Sequence, residues 1–278
     1  SIHLLTYIFL DDSGGQRVVD ALASASRRGV SCRVLVDSMG SRRFLHSEAC
    51  RRLKAADVQV AEALPTHVWA MLWTRLDIRN HRKIIVVDNT IGWIGSQNIA
   101  AASFGLKPRF APWVDCMVRL RGPAVHNLQE LFLEDWTLST SERLGDMLLE
   151  QPQVLAPGAT VQIFGSGPNY RNDVLPMIFQ ASIGAAEEEL IITTPYFVPD
   201  MATSAALRAA ALRGVHTILV VPARNDSRLV AMASRGHYEE LLDAGVEIHE
   251  FNGGLLHAKT MTVDRQLFLV GSANLDRR

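Results

Sequence analysis

The chain spells the same short motif twice, and this repetition constrains the fold more than any other feature of the sequence. Each copy reads HxKxxxxD and is followed, after six intervening residues, by Gly-Ser-x-Asn. The second copy stands 176 positions after the first, with no insertion between matched residues. The matched residues are His81, Lys83, Asp88, Ser96 and Asn98 in the first copy and His257, Lys259, Asp264, Ser272 and Asn274 in the second. The repeat predicts two structurally similar halves.

The residues around the motifs predict an α/β fold. In each half, apolar runs of strand length alternate with amphipathic helical stretches, which is typical of a largely parallel sheet covered by helices on both faces. We therefore expect two α-β-α halves related by pseudo-twofold symmetry, at residues 1–140 and 159–278, joined by a linker at residues 141–158. Because only four residues follow Asn274, and the first half opens directly on a strand, both ends are expected to lack elements of the full fold.

Composition excludes several kinds of protein. A net charge of -1 argues against a protein that coats nucleic acid, because binding to the phosphate backbone normally needs a basic surplus. The three cysteines, Cys32, Cys50 and Cys116, are too few and too scattered for a disulfide framework or a zinc site. No apolar run reaches the roughly 18 residues that a membrane span needs. Any membrane contact by this chain is therefore expected to be peripheral.

The repeated motif supplies the groups of a phosphoryl-transfer site that needs no metal or cofactor. Residues two apart on a strand point to the same face, so each His projects together with its Lys. If the two copies face each other, two imidazoles and two ammonium groups surround one tetrahedral anion. The residues expected to hold its non-bridging oxygens are Lys83, Lys259, Ser96, Asn98, Ser272 and Asn274. The two serines could instead only satisfy their turns.

Two histidines at one phosphate divide the work. One attacks phosphorus as a neutral nucleophile, and the other protonates the leaving oxygen and then deprotonates the acceptor. An attacking imidazole needs an acceptor on its far nitrogen, and Asp115 is the candidate orienting residue for His81, although it could be a solvated carboxylate at a strand edge. The equivalent acid for His257 would lie past Arg278. Asp88 and Asp264 complete the motif, but their place at the far end of the strand favours a structural role over catalysis.

Several residues near the motifs have two possible roles. Arg79 and Arg82 flank His81 and either recruit an anionic headgroup or face solvent. The apolar stretch at residues 68–73 is either core or a lipid-facing lip. Tyr196 and Tyr238 either line an acceptor pocket or pack in the core.

The doubled motif and its flanks resemble the phospholipase D superfamily and, within it, the bacterial cardiolipin synthases. The resemblance spans the chain and includes residues 76–83, 194–200 and 255–260. It implies a phosphatidyltransferase that makes cardiolipin from two phosphatidylglycerol molecules, with His81 as nucleophile and His257 as acid and base. It also implies that the partner is a phospholipid and not a nucleic acid, and that the protein associates with the bacterial cytoplasmic membrane. Many similar enzymes have N-terminal transmembrane helices, which this chain does not include.

Two other functions stay open at this point. A hydrolase would use the same site with water as acceptor, as a phospholipase D or a phosphodiesterase. A phospholipid-binding module without catalysis would use only the anion site. Because both motifs stand on one chain, catalysis does not require a dimer.

Overall fold

The chain folds into two compact units that are not continuous in sequence. A computed structural model describes residues 1–64, 79–148, 154, 157–167, 170 and 173–276. Unit 1 contains residues 1–94, 98–101 and 118–168, and unit 2 contains residues 95–97, 102–117 and 169–278. The segments 95–97 and 102–117 thus belong to unit 2, although the sequence repeat predicts that they belong to the first half.

The elements alternate as the sequence pattern predicts. The strands are β1 (Ile2–Thr6), β2 (Cys32–Asp37), β3 (Gln59–Ala63), β4 (Ile84–Val87), β5 (Ile91–Gly95), β6 (Trp113–Val114), β7 (Met117–Arg121), β8 (Glu189–Thr193), β9 (Phe197–Val198), β10 (His216–Pro222), β11 (Glu247–Phe251), β12 (Leu255–Leu256), β13 (Thr260–Val263), β14 (Leu267–Val270) and β15 (Leu275–Asp276). The helices are α1 (Ser13–Arg27), α2 (Arg42–Leu45), α3 (Glu48–Ala55), α4 (Ala124–Thr140), α5 (Val174–Gly184), α6 (Met201–Leu212), α7 (Arg228–Arg235) and α8 (Tyr238–Asp243).

The two large sheets have the same strand order, which confirms the α/β class and gives the sequence repeat a structural basis. In unit 1 the order is β3-β2-β1-β4-β5-β7. In unit 2 it is β11-β10-β8-β13-β14. The first three strands of each sheet pair in parallel, and the following two are antiparallel. The antiparallel hairpin follows the His-x-Lys segment in both sheets.

Helices cover both faces of the first sheet. Every residue of β2 is buried, as expected for a central strand between two helical layers. Asp12 caps α1 by accepting the N–H groups of Gly14 and Gly15, each at 3.0 Å. Gly15 has no space for a side chain, because a Cβ atom there would lie 1.8 Å from the carbonyl oxygen of Leu10. The cap therefore starts α1 at Ser13, with Gly15 packed against the backbone of Leu10.

The aspartate of each motif lies in a hairpin turn. Asp88 and Asn89 both have positive φ, as do Asp264 and Arg265, and each pair occupies the centre of a turn between the two antiparallel strands. The carboxylate of Asp264 accepts the backbone N–H groups of residues 187, 188 and 189 at 2.8–2.9 Å. These hydrogen bonds lower the pKa of Asp264. Asp88 and Asp264 therefore occupy turn positions typical of a structural role, as their place at the far end of the strand predicts.

A buried histidine lies between the first sheet and α4. His3 on β1 is fully buried and stacks on Phe132 with ring centroids 4.6 Å apart. Nδ1 of His3 lies 3.0 Å from the side-chain oxygen Oε1 of Gln129 and can donate to it, and Nε2 of His3 has no hydrogen-bond partner within the described part of the chain. Burial is the main cause that lowers the pKa of His3 to about 4. Protonation of this ring would bury a charge and an unsatisfied N–H group.

We expect His3 to make the stability of the protein fall in mild acid. Between pH 6.5 and pH 4 the unfolded chain binds a proton at this residue and the folded chain does not, so the free energy of unfolding decreases as the pH falls through that window. The full difference is about 3 kcal/mol. Urea unfolding at several pH values should show a steeper decrease in the wild type than in His3→Gln, because the carboxylates contribute equally to both. His46→Gln, at an exposed histidine, is the control. An equal pH dependence of the wild type and His3→Gln would contradict the assignment.

Candidate functional site

A short parallel strand pair brings residues 113–115 beside the second motif. β6 pairs with β12, and the backbone N–H groups of His257 and Ala258 both donate to the carbonyl oxygen of Val114, at 2.7 and 2.9 Å. Close approach requires glycine at position 254, where φ is +126° and a Cβ atom would lie 2.2 Å from the carbonyl oxygen of Pro112. The backbone therefore fixes Asp115, the residue after β6, next to His257.

Asp115 and His257 form a short hydrogen bond. Oδ1 of Asp115 lies 2.6 Å from Nδ1 of His257, and only about a tenth of either side chain is exposed. Ser96 Oγ donates to the same carboxylate oxygen at 2.6 Å and itself accepts the N–H of Cys116 at 3.0 Å. Because an ionised carboxylate only accepts hydrogen bonds, Nδ1 of His257 carries the hydrogen. Nε2 is thus the nitrogen that can exchange a proton with a substrate.

The surroundings keep the Asp115 carboxylate ionised. Burial is the largest single influence and would by itself raise its pKa. The hydrogen bond and charge of His257, the hydrogen bond from Ser96 and the charge of Lys259 together outweigh burial and lower the pKa of Asp115 below its ordinary value. A stable negative charge therefore faces His257 across the pH range in which imidazole titrates.

These contacts correct two sequence-based expectations. Asp115 orients His257, so its expected pairing with His81 is wrong. The orienting acid of His257 lies within the chain and not past Arg278. Ser96 is fully buried and its hydroxyl donates to Asp115, which is a structural contact; phosphate contact by Ser96 stays a prediction. The cause is that β6 joins the second motif in unit 2, which a comparison of the two sequence copies does not reveal.

The two motif lysines make the same contact in both copies. Lys83 Nζ donates to the carbonyl oxygen of His81 at 2.7 Å, and Lys259 Nζ donates to the carbonyl oxygen of His257. Both lysines are buried. Each ammonium group is thus held beside the backbone of the histidine of its own motif, although neither His-x-Lys segment lies within a strand, as the same-face prediction assumed.

His81 is held by an aromatic ring that the sequence argument did not identify as part of the site. Tyr7, just after β1, stacks on the imidazole of His81 with centroids 4.1 Å apart and an interplanar angle of 18°. Lys83 Nζ lies 5.5 Å from the centroid of the same ring. A Cβ atom at Gly40 would lie 3.0 Å from Cε2 of Tyr7, and Ser41 Oγ donates to the Tyr7 carbonyl oxygen at 2.9 Å. The loop after β2 therefore holds the Tyr7 ring in place, and this ring stacks on His81.

Buried polar groups hold the backbone on both sides of His81. Asn80 Nδ2 donates to Oδ2 of Asp135 on α4 at 2.8 Å, and Arg82 forms an ion pair with the same oxygen. Arg79 lies 3.9 Å from the buried carboxylate of Asp37. Both arginines are buried. Arg79 and Arg82 therefore do not face solvent, so that expectation is wrong, and headgroup recruitment by these arginines stays a prediction.

The remaining predicted residues have mixed outcomes. Asn98 Oδ1 accepts the N–H of Ile8 at 3.1 Å, and Asn274 Nδ2 lies 3.4 Å from Oδ2 of Asp276. Phosphate binding by these asparagines and by Ser272 stays a prediction. Tyr196 donates its hydroxyl to Asp226, and Tyr238 packs against the core of unit 2. The stretch at residues 68–73 lies outside the described residues.

Comparisons with known proteins show which family the chain belongs to. A family model for "Cardiolipin synthase, PLD-like domain" matches residues 1–136 and 179–278. The chain belongs to this family. Cardiolipin synthase A of Yersinia pseudotuberculosis is 39% identical over 291 residues, which cover 100% of this chain and 58% of that protein, and cardiolipin synthase A of Yersinia pestis matches to the same extent. The chain thus spans about 58% of the length of these relatives.

A solved structure shows the same fold. Phosphatidylserine synthase of Haemophilus influenzae superposes with a TM-score of 0.65 over 99% of this chain and 73% of its own, at 15% identity. The resemblance to the phospholipase D superfamily and to cardiolipin synthases is therefore confirmed. No helix in the described part of this cardiolipin synthase-like chain combines the length and apolar character needed to cross a bilayer.

We expect Tyr7 to fix the His81 ring through stacking and not through its hydroxyl. In Tyr7→Leu the carbon-bound protons of His81 should move downfield in NMR spectra, because the ring current of the stacked tyrosine is lost. Tyr7→Phe should keep the wild-type shifts, since it keeps the ring. Circular dichroism checks that both variants are folded. Unchanged His81 shifts in Tyr7→Leu would show that the stack does not exist in solution.

Proposed function

We propose that the protein transfers a phosphatidyl group from one phosphatidylglycerol molecule to another, producing cardiolipin and glycerol. The 39% identity to cardiolipin synthase A along the whole chain supports this substrate class. The observation that carries the chemical part of the proposal is the hydrogen-bonded series Ser96, Asp115 and His257. It gives the second motif an imidazole with a fixed tautomer, which general acid and base catalysis requires.

In the first half-reaction, His81 acts as the nucleophile. A ring nitrogen of His81 bonds to phosphorus, and the bond from phosphorus to the glycerol oxygen breaks. Nε2 of His257 gives its proton to that oxygen, and glycerol leaves. The Asp115 carboxylate stabilises the protonated ring before the transfer and keeps Nδ1 as its hydrogen-bond donor afterwards. The product of this step is a phosphatidyl-histidine.

In the second half-reaction, another phosphatidylglycerol replaces glycerol. Its terminal hydroxyl attacks the phosphorus, and Nε2 of His257 takes the hydroxyl proton. The bond from phosphorus to His81 breaks, which releases cardiolipin and restores both histidines. Two displacements at one phosphorus atom give retention of configuration. The scheme requires both histidines to act on the same phosphorus.

The lysines and asparagines of the motifs stabilise charge. In this proposal the ammonium groups of Lys83 and Lys259, with Asn98, Asn274 and Ser272, hold the non-bridging oxygens as charge develops in the transition state. These groups, together with the histidines, perform every step, so no metal ion takes part. We further propose that the reaction occurs at the bacterial cytoplasmic membrane, where the phospholipid substrate lies.

Trapping the covalent intermediate tests the proposal and the histidine roles. The protein is incubated with vesicles of phosphatidylglycerol labelled at phosphorus, quenched, and analysed for labelled protein and lipid. The wild type should produce cardiolipin and a transient labelled adduct. His81→Ala should form neither. His257→Ala should form the adduct with turnover reduced by about 10²–10⁴-fold, because only the proton transfer is lost. His46→Ala, at an exposed histidine outside the site, is the control.

The alternative outcomes are distinct. Phosphatidic acid as the main product would indicate a hydrolase with water as acceptor. An adduct that persists in His81→Ala and disappears in His257→Ala would reverse the two roles. Loss of activity on adding a chelator, with recovery on adding a divalent metal, would contradict a mechanism carried by the protein's own side chains.

A further inference from the structure

Helix α7 presents apolar side chains to solvent. Leu229 and Met232 stand three positions apart, on one face of the helix, and are 80% and 72% exposed. The buried residue of this helix is a polar one, Ser234. The usual arrangement of a surface helix, with its apolar face toward the core, is therefore inverted.

The exposed charges around these apolar residues are basic. Arg224, Arg228 and Arg235 are exposed along the same segment. The acidic residue of the segment, Asp226, has a side chain only 3% exposed, because it accepts a hydrogen bond from the Tyr196 hydroxyl and pairs with Lys107. Arg235 has Glu250 at 3.9 Å, an exposed pair that contributes little. The outward surface thus combines apolar and cationic groups.

The helix is attached to the element that follows the second motif. α7 packs against β9, and β9 pairs in parallel with β15, which directly follows Gly271-Ser272-Ala273-Asn274. The loop before α7 is fixed to the start of β9 by a hydrogen bond from Asn225 Nδ2 to the carbonyl oxygen of Pro195, at 2.7 Å. These elements all belong to unit 2. A binding partner in contact with α7 would therefore lie near the second Gly-Ser-x-Asn turn of this chain.

We propose that α7 is the part of this chain that binds an anionic phospholipid bilayer. Leu229 and Met232 enter the boundary between headgroups and acyl chains, and Arg224 and Arg228 lie against the headgroup phosphates. A helix with exposed apolar residues flanked by arginines matches such a surface in both polarity and charge. The choice of phosphatidylglycerol as the anionic lipid rests on the proposed function. The binding of α7 to an anionic bilayer does not require that function.

Vesicle binding tests this inference without any need for turnover. The protein is sedimented with phosphatidylcholine vesicles that contain or lack phosphatidylglycerol. The wild type should bind the anionic vesicles more tightly. Leu229→Ser/Met232→Ser should lower the partition coefficient by at least about tenfold, because two buried apolar side chains are lost. Arg228→Glu should lower it about tenfold on anionic vesicles and much less on neutral ones. The controls are Leu212→Ser, at an equally exposed leucine on α6, and Lys54→Glu, at an exposed lysine on α3.

The inference and the proposed function fail in different ways. If the wild type does not bind anionic vesicles, or if the double variant binds as tightly as Leu212→Ser, α7 is not the lipid contact, whatever the protein catalyses. If binding depends on Leu229 and Met232 while no cardiolipin forms, the inference stands and the proposed function fails. In an active protein, the double variant should lose turnover on vesicles and keep it on substrate dispersed in detergent micelles.

Discussion

The hydrogen bond between Asp115 and His257 is the interaction on which the candidate site depends. It joins residues 142 positions apart and requires three features of the backbone. β6 and β12 must pair in parallel, Gly254 must allow the chain to approach Pro112, and Ser96 must hold the carboxylate from its other side. Each feature involves only a few residues, yet together they convert a strand-end histidine into an imidazole with one defined reactive nitrogen.

The two copies of the motif have the same letters but different surroundings. In both, the lysine donates to the carbonyl oxygen of its histidine. Behind His81, however, Asn80 and Arg82 bind the buried carboxylate of Asp135, whereas the equivalent positions in the second copy are the buried apolar residues Leu256 and Ala258. The imidazole of His81 faces the Tyr7 ring, and that of His257 faces a carboxylate. This asymmetry fits the different roles proposed for the two histidines, which the repeat alone does not assign.

Patterns that act within a few residues made much of the fold predictable. The repeat, the alternation of apolar strands with helices and the hairpin turns at Asp88 and Asp264 all follow from local preferences and spacing. The partner of Asp115 was not predictable in this way. It depends on the pairing of two strands of two residues each, a pairing far too short to leave a periodic signal. Tyr7 was missed for a related reason, since an aromatic residue after a buried strand looks the same whether it packs in the core or stacks on a histidine.

The tautomer of His257 tests the central claim most directly. NMR spectra of the protein labelled with nitrogen-15 distinguish a protonated from an unprotonated ring nitrogen. We expect Nδ1 of His257 to stay protonated throughout the titration while Nε2 gains and loses the proton. In Asp115→Asn the neutral ring should lose this preference, because the side-chain amide can donate to Nδ1. A neutral His257 in the wild type that carries its hydrogen on Nε2 would contradict the account.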